Sequence, residues 1–162
     1  MSWDAVGAVA DSIGAFVVVV TLIYLIVQLR QNTKAIEHST DRGVIEDANK
    51  WMYTLIESPE IAELYLAGMK EDEQSSSDRF RFALLLNTLF VHWSHAFDAG
   101  AFHIVNNSQI SGVLSRPGGL AHWKKAIATK SITLSPGFIT YVNEISNEIH
   151  NNVAEDVVVN KK

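Results

Sequence analysis

The sequence contains no cysteine, which excludes disulfides, thiolate catalysis and cysteine-ligated zinc sites. It has no excess of basic residues either, because its net charge is −5, so we expect no nucleic-acid partner. Prolines are few, and Pro59 is the first of them. Since proline is the residue that most strongly interrupts helices, the long proline-free segment before it can form a continuous helix.

The most informative feature that is present is Ile13–Leu29, which reads IGAFVVVVTLIYLIVQL and is followed directly by Arg30. These 17 residues contain neither charge nor proline. A helix that crosses a bilayer needs about 17–25 mainly apolar residues, so this stretch is at the short end of the range. We predict a single transmembrane helix over residues 12–30, preceded by a short segment, residues 1–11.

Two other interpretations of the apolar stretch are open. A cleaved signal peptide has basic residues before its apolar run and a small-x-small site after it, whereas here Asp4 and Asp11 precede the run and Gln28–Gln31 follows it. A helix that is apolar on all sides is also found in the centre of soluble proteins. The second alternative is therefore a soluble helical oligomer that buries Ile13–Leu29.

Charges beside the stretch predict its orientation. Lysine and arginine are absent before Ile13 but follow it at Arg30, Lys34, Arg42 and Lys50. Positive charge collects on the cytoplasmic side of a span, so we expect the N-terminus outside and the main domain in the cytoplasm.

Several residues of this region are suited to the membrane–water interface. Aromatic and polar side chains favour that zone, and the predicted interface residues are Trp3, Tyr24, Gln28 and Arg30. The polar segment Gln28–Thr33 has two interpretations. It either ends the span at the lipid headgroups, or it docks another membrane protein or a second copy of the chain.

The rest of the chain predicts an all-α fold, in which the N-terminal single transmembrane helix continues into a small helical bundle, residues 31–151. Apolar residues at helical spacing and Ser-Pro pairs at helix starts carry this prediction. The expected helices run to Glu57 and over Pro59–Met69, Phe80–Ala99 (capped by Ser77 or Asp78), Phe102–Val113, Leu120–Thr129 and Pro136–Asn151. Arg116–Gly119 is expected to break the chain, and residues 152–162 to form a flexible tail.

Phe80–Ala99 is apolar enough to be mistaken for a second span. Polar and ionisable residues inside it argue against that interpretation, because such groups are costly in lipid. These residues are Arg81, Asn87, His92, His95 and Asp98. We expect this segment to be the central helix of the bundle.

Three side chains of that helix are weak candidates for a metal site. His92, His95 and Asp98 are spaced three apart, so they lie near one face of a helix and could ligate zinc or iron. The Glu-x-x-His pattern of di-iron bundles is absent from the sequence. The alternative is that these side chains form hydrogen bonds in the bundle or contact solvent.

Val20–Leu25 followed by Gln28–Thr33 resembles the N-terminus of a group of small bacterial membrane-anchored helical proteins, a domain of unknown function. Their apolar helix ends in a similar V-T-L-I-Y-L-x-x-Q-x-R-Q-N-T segment. Pro117–Gly119 with Trp123, and Ser135–Phe138, resemble the later half of the same group. The resemblance implies a bacterial inner-membrane protein with a helical domain, and it implies no reaction, cofactor or site residue.

Taken together, these features favour a non-enzymatic single-pass membrane protein whose cytoplasmic helical domain acts as a binding or scaffolding module. The alternatives are a metal-binding or enzymatic bundle that uses His92, His95 and Asp98, and the soluble oligomer described above. We expect no catalytic or cofactor-binding residue and no cofactor. The expected partners are the lipid bilayer and either another membrane protein or a second copy of the chain.

Overall fold

The computed structural model describes residues 3–105 and 107–159, which form six α-helices and no β-strand. The helices are α1 (Trp3–Glu57), α2 (Pro59–Lys70), α3 (Ser76–Asp98), α4 (Asn107–Leu114), α5 (Pro117–Thr129) and α6 (Pro136–Val159). The chain forms two compact units, Met1–Thr40 and Asp41–Lys162. Helix α1 runs through the first unit and supplies the first helical segment of the second. The predicted all-α fold, with a long apolar N-terminal helix that continues into a bundle, is confirmed.

Ser-Pro pairs begin two of the helices, as the sequence predicts. The Ser58 side chain accepts a hydrogen bond from the backbone N–H of Ile61 at 3.4 Å, and Pro59 is the first residue of α2. The Ser135 side chain accepts one from Phe138 N–H at 3.3 Å at the start of α6. A serine oxygen satisfies an otherwise unpaired N–H of the first turn, and proline loses nothing there because that N–H has no helical partner.

Helix α3 is capped two or three residues earlier than predicted. Ser75, and not Ser77 or Asp78, is the cap, and its hydroxyl accepts a hydrogen bond from Asp78 N–H at 3.1 Å. The same hydroxyl donates to the Asp78 carboxylate at 2.8 Å. Asp78 therefore lies in the first turn, where its negative charge also interacts favourably with the positive end of the helix dipole.

The predicted break is present at Ser115 and Arg116, between α4 and α5, but α5 begins at Pro117 and not at Leu120 as predicted. Its two glycines lie inside the helix at points of close backbone approach. A Cβ on Gly118 would overlap the carbonyl oxygen of Gly68 in α2, and a Cβ on Gly119 would overlap the carbonyl oxygen of Val113. Glycine costs about 0.5–1 kcal/mol in a helix, and here the cost is offset by packing that no larger residue permits.

Two further boundaries differ from the prediction. The chain does break at Gly100, which has a φ of 72°, but α4 begins only at Asn107, because residues 101–105 form a turn that buries Ala101 and Val105. Helix α6 extends to Val159, into the segment expected to be a flexible tail. No proline or glycine interrupts residues 138–159, so the sequence offers no stop signal there. Residues 160–162 of the expected tail lie outside the described residues.

The core of the second unit is built around α3, which confirms its predicted central position. Helix α3 packs against α2, α5 and α6. An aromatic chain crosses the core, with ring centroids 5.1 Å apart for Phe90 and Trp123 and 6.1 Å apart for Trp123 and Phe138. The indole N–H of Trp123 donates to Asn143 Oδ1 at 3.0 Å, so this buried polar group is satisfied.

The close approach of α2 and α5 leads to a stability prediction. Gly118→Ala should lower the free energy of unfolding by about 1–3 kcal/mol, the usual cost of overpacking, because its methyl group would meet backbone that cannot move aside. The matched control is Gly112→Ala on α4, where an added Cβ meets no atom within 4 Å. That change should be neutral or stabilising. Circular dichroism during thermal unfolding of the full chain measures both, and equal stability of the two variants would contradict the close approach.

Candidate functional site

The apolar stretch of α1 is exposed along its whole length. Every side chain of Ile13–Leu29 is exposed except Gln28, which is half-buried. Phe16 retains 68% of its surface and Leu25 retains 55%. Among the described residues, α1 is the one helix that is long and apolar enough to cross a membrane. Contiguous apolar surface of this extent requires a covering, by lipid or by protein.

The polar side chains of this stretch form their hydrogen bonds within the helix. Thr21 donates to the carbonyl oxygen of Val17 at 2.8 Å. The side-chain amide of Gln28 donates to the Tyr24 hydroxyl at 3.0 Å. Each of these groups therefore has a hydrogen-bond partner one turn away on the same helix, which lowers the free-energy cost of placing it in an apolar medium.

The four predicted interface residues all lie on α1. Trp3, at its first residue, retains 89% of its surface, and Tyr24 and Arg30 are exposed as well. Gln28 is the half-buried member of the set, since it contacts Tyr24 one turn earlier. Their position at a membrane surface remains a prediction.

The three metal candidates lie in different environments and do not form a set of metal ligands among the described residues. His92 is half-buried, whereas His95 and Asp98 are exposed on the following turns of α3. The residues that the structure describes contain no group of three or more His, Asp or Glu side chains placed to hold a metal ion. A different pair does form, because His103 Nε2 lies 3.6 Å from the Asp41 carboxylate at the start of the second unit.

The second unit contains a cavity of about 510 Å³ between α1 residues 44–52, α2, α3, the 104–105 turn and α4. We call it the α1–α4 cavity. Its volume is within the range of about 300–1,000 Å³ that is typical of small-molecule sites. Part of its wall is the domain core itself, since the buried residues Leu89, Trp93, Val105 and Val113 line it.

The α1 segment 41–57 covers one side of the cavity and is loosely attached. Its half-buried residues are Asp41, Val44, Ala48, Trp51 and Leu55, and none of its 17 residues, all of which are described, is fully buried. Trp51 is the main attachment. Its indole N–H donates to the carbonyl oxygen of Leu85 at 3.2 Å, and its ring meets Tyr65 edge-on with centroids 5.6 Å apart.

A few polar groups line the otherwise apolar wall. The Nε2 atom of His92 is buried and has no hydrogen-bond partner among the described residues. An unsatisfied buried polar atom costs about 1–3 kcal/mol. Burial lowers the pKa of His92 below its ordinary value, and nearby His95 lowers it further, while the negative charge of Asp47 acts in the opposite direction. The neutral form of the ring therefore predominates at pH 7.

Tyr65 and Arg116 form a second polar part of the lining. Burial raises the pKa of the Tyr65 hydroxyl, and the positive charge of Arg116 opposes that shift. Arg116 is exposed, and its guanidinium has no carboxylate partner among the residues described. The lining therefore combines an apolar body with the hydroxyls of Tyr65 and Ser108, two side-chain amides and one cation, Arg116.

The cavity could not be predicted from the sequence. The helical spacing of Val44, Ala48 and Trp51 indicates an apolar face of α1, but spacing does not identify the surface against which that face packs. Arg116 was assigned only to a chain break. The one local signal is Gly112 on α4, which lines the cavity and where an added Cβ would meet no atom within 4 Å.

Comparison with protein-family models, with curated proteins and with solved structures finds no match for this chain.

The environment of His92 predicts an abnormal titration. Its imidazole should titrate below the ordinary value of 6.5, because burial disfavours the charged ring. Below pH 6.5 the unfolded chain then binds more protons than the folded chain, so stability should fall as the pH decreases through that value. NMR titration of the six histidines, with the His92→Gln variant to assign the signal, measures the pKa. A His92 pKa at or above 6.5 would contradict the buried, unpaired ring.

Proposed function

We propose that this protein is a single-pass protein of the bacterial inner membrane whose helical domain lies in the cytoplasm and acts as a binding module. The observation that carries the proposal is the exposure of every apolar side chain in Ile13–Leu29. Lipid is the covering that this surface fits, since it is apolar on all sides of the helix and not along one stripe.

The local hydrogen bonding of the stretch supports the same conclusion. A bilayer offers no water to satisfy polar groups, so a spanning segment has to satisfy its own. The backbone of this stretch is helical, and Thr21 and Gln28 bond to atoms of the same helix. A second helix is not needed to complete these bonds. Docking of another membrane protein or a second copy at Gln28–Thr33 stays a prediction.

The proposed orientation rests on charge. Arg30, Lys34 and Arg42 follow the stretch on α1, and no lysine or arginine precedes it. Their side chains are exposed, so they are free to meet anionic headgroups or cytoplasmic solvent. The binding role rests on the α1–α4 cavity, because a largely apolar cavity with a few polar groups is the usual form of a ligand site.

Because the chain has no cysteine, single-cysteine variants can test the topology without background. Gly7→Cys and Gly43→Cys are a matched pair on α1, one on each side of the stretch, and an added Cβ at either meets no atom within 4 Å. In intact spheroplasts, a membrane-impermeant maleimide should label Gly7→Cys and leave Gly43→Cys unlabelled. Both should be labelled after detergent is added.

The reverse pattern in spheroplasts would contradict the orientation and leave the span intact. Failure to label Gly7→Cys before detergent would contradict an external N-terminus. Labelling of both variants only in a soluble extract would contradict membrane anchoring and favour the soluble oligomer.

A further inference from the structure

We propose that the α1–α4 cavity binds an anionic amphiphile, that is, an acyl chain that carries a carboxylate or phosphate head. The inference rests on the proposed function in one respect, because a bilayer next to the domain is the source of such molecules. It depends on three features of the cavity: an apolar body, an unpaired cation and a cover that can move.

The body of the cavity fits an acyl chain. Leu89, Trp93 and Val113 form the wall of the cavity on the core side. Ile45 and Met52 line the cavity on the side of α1. Ile45 retains 46% of its surface and Met52 retains 50%, so the cavity edge offers apolar area that is not yet buried. Methionine adapts to ligands of varied shape because its side chain is unbranched and flexible.

Arg116 determines the sign of the head group. It lines the cavity, and no described carboxylate lies within ion-pair distance of its guanidinium. Asp47, whose negative charge acts on His92, already pairs with Lys50 at 3.1 Å. Guanidinium groups bind carboxylates and phosphates through two parallel hydrogen bonds, so an anionic head is favoured over a neutral or cationic one.

The loosely attached α1 segment 41–57 provides a route of entry. It is held by the hydrogen bond of Trp51 to Leu85, by the Trp51–Tyr65 ring contact and by the Asp41–His103 pair. Displacement of the segment would also expose His92. Because the buried Nε2 of His92 has no hydrogen-bond partner among the described residues, no hydrogen bond of that atom would be lost. Elements with few buried apolar contacts open at low free-energy cost.

Gly112 allows the cavity to be filled without disturbing the fold. Its position on α4 leaves open space where a side chain would project, and glycine is a poor helix former. Gly112→Leu should therefore fold and occupy part of the cavity. Gly43→Leu is the matched control, since Gly43 lies on α1 outside the cavity lining and also faces open space.

The test uses the full chain in lipid nanodiscs and a twelve-carbon fatty acid that carries a photoreactive diazirine. After irradiation, mass spectrometry locates the labelled peptides. We expect labelling of residues 44–52 and 104–113, reduced at least fivefold by Gly112→Leu and unchanged by Gly43→Leu. Competition with dodecanoate and with dodecyl phosphate identifies which head group binds better, and dodecanol and dodecylamine should compete poorly. Arg116→Gln should remove the preference for the anionic competitors.

Labelling confined to Ile13–Leu29 would reflect contact with bilayer lipid only and would overturn the proposal, as would equal labelling of the Gly112→Leu and Gly43→Leu variants. Equal competition by dodecanol and dodecanoate would overturn the anionic head. Incorporation into nanodiscs is scored separately. If the chain stays outside them, the proposed membrane anchoring fails, and the same labelling of the soluble chain still decides whether the cavity binds the probe.

Discussion

The exclusion of α1 residues 13–29 from water is the constraint on which the other features of this protein depend. Fully burying one valine, leucine, isoleucine or phenylalanine side chain is worth about 1.5–3 kcal/mol, and this stretch exposes more than a dozen apolar side chains. That surface cannot remain in water while the protein stays dispersed. The polar groups of Thr21 and Gln28 are satisfied within the helix, so they would add little to the cost of placing the stretch in an apolar surrounding.

The second unit is tightly packed in one region of its core and loosely packed in another. Helices α2 and α5 approach so closely that Gly118 accepts no Cβ, and the aromatic rings of Phe90, Trp123 and Phe138 fill the centre. In contrast, the α1 segment 41–57 contributes no fully buried side chain to this core. A cavity remains beneath it, and the buried Nε2 of His92 has no partner there. Incomplete packing of this kind is common where a protein binds something else.

Local signals in the sequence predicted the helices well. The Ser58-Pro59 and Ser135-Pro136 starts and the central position of α3 follow from short-range chemistry and hydrophobic spacing. The errors arose where distant residues decide the outcome. Gly118 and Gly119 suggested that the helix would begin only at Leu120, but both lie inside α5. Gly118 packs against Gly68 of α2 and Gly119 against Val113 of α4, and sequence spacing carries no information about these contacts.

The same distinction between local signals and contacts of distant residues applies to the candidate site. The apolar stretch is a local property of the sequence, so it could be predicted directly. The α1–α4 cavity is formed by residues from α1 to α4 that are up to about 70 positions apart, and no single segment has a pattern that marks it. The metal candidates show a related limit of sequence spacing. Spacing on one helix placed His92, His95 and Asp98 near a common face, but a metal site also needs ligands from facing helices, which the described residues do not supply.

The measurement that tests this account most directly is alkaline extraction of membranes from cells that produce the full chain. The account predicts that the protein stays in the washed membrane pellet. Leu22→Arg, which places a charge inside the stretch at a cost of about 2.5–3.5 kcal/mol, should shift it toward the supernatant, whereas Ile36→Arg, beyond the stretch on the same helix, should not. Recovery of the unmodified chain in the alkaline supernatant or in the soluble fraction, with both variants behaving alike, would contradict the account.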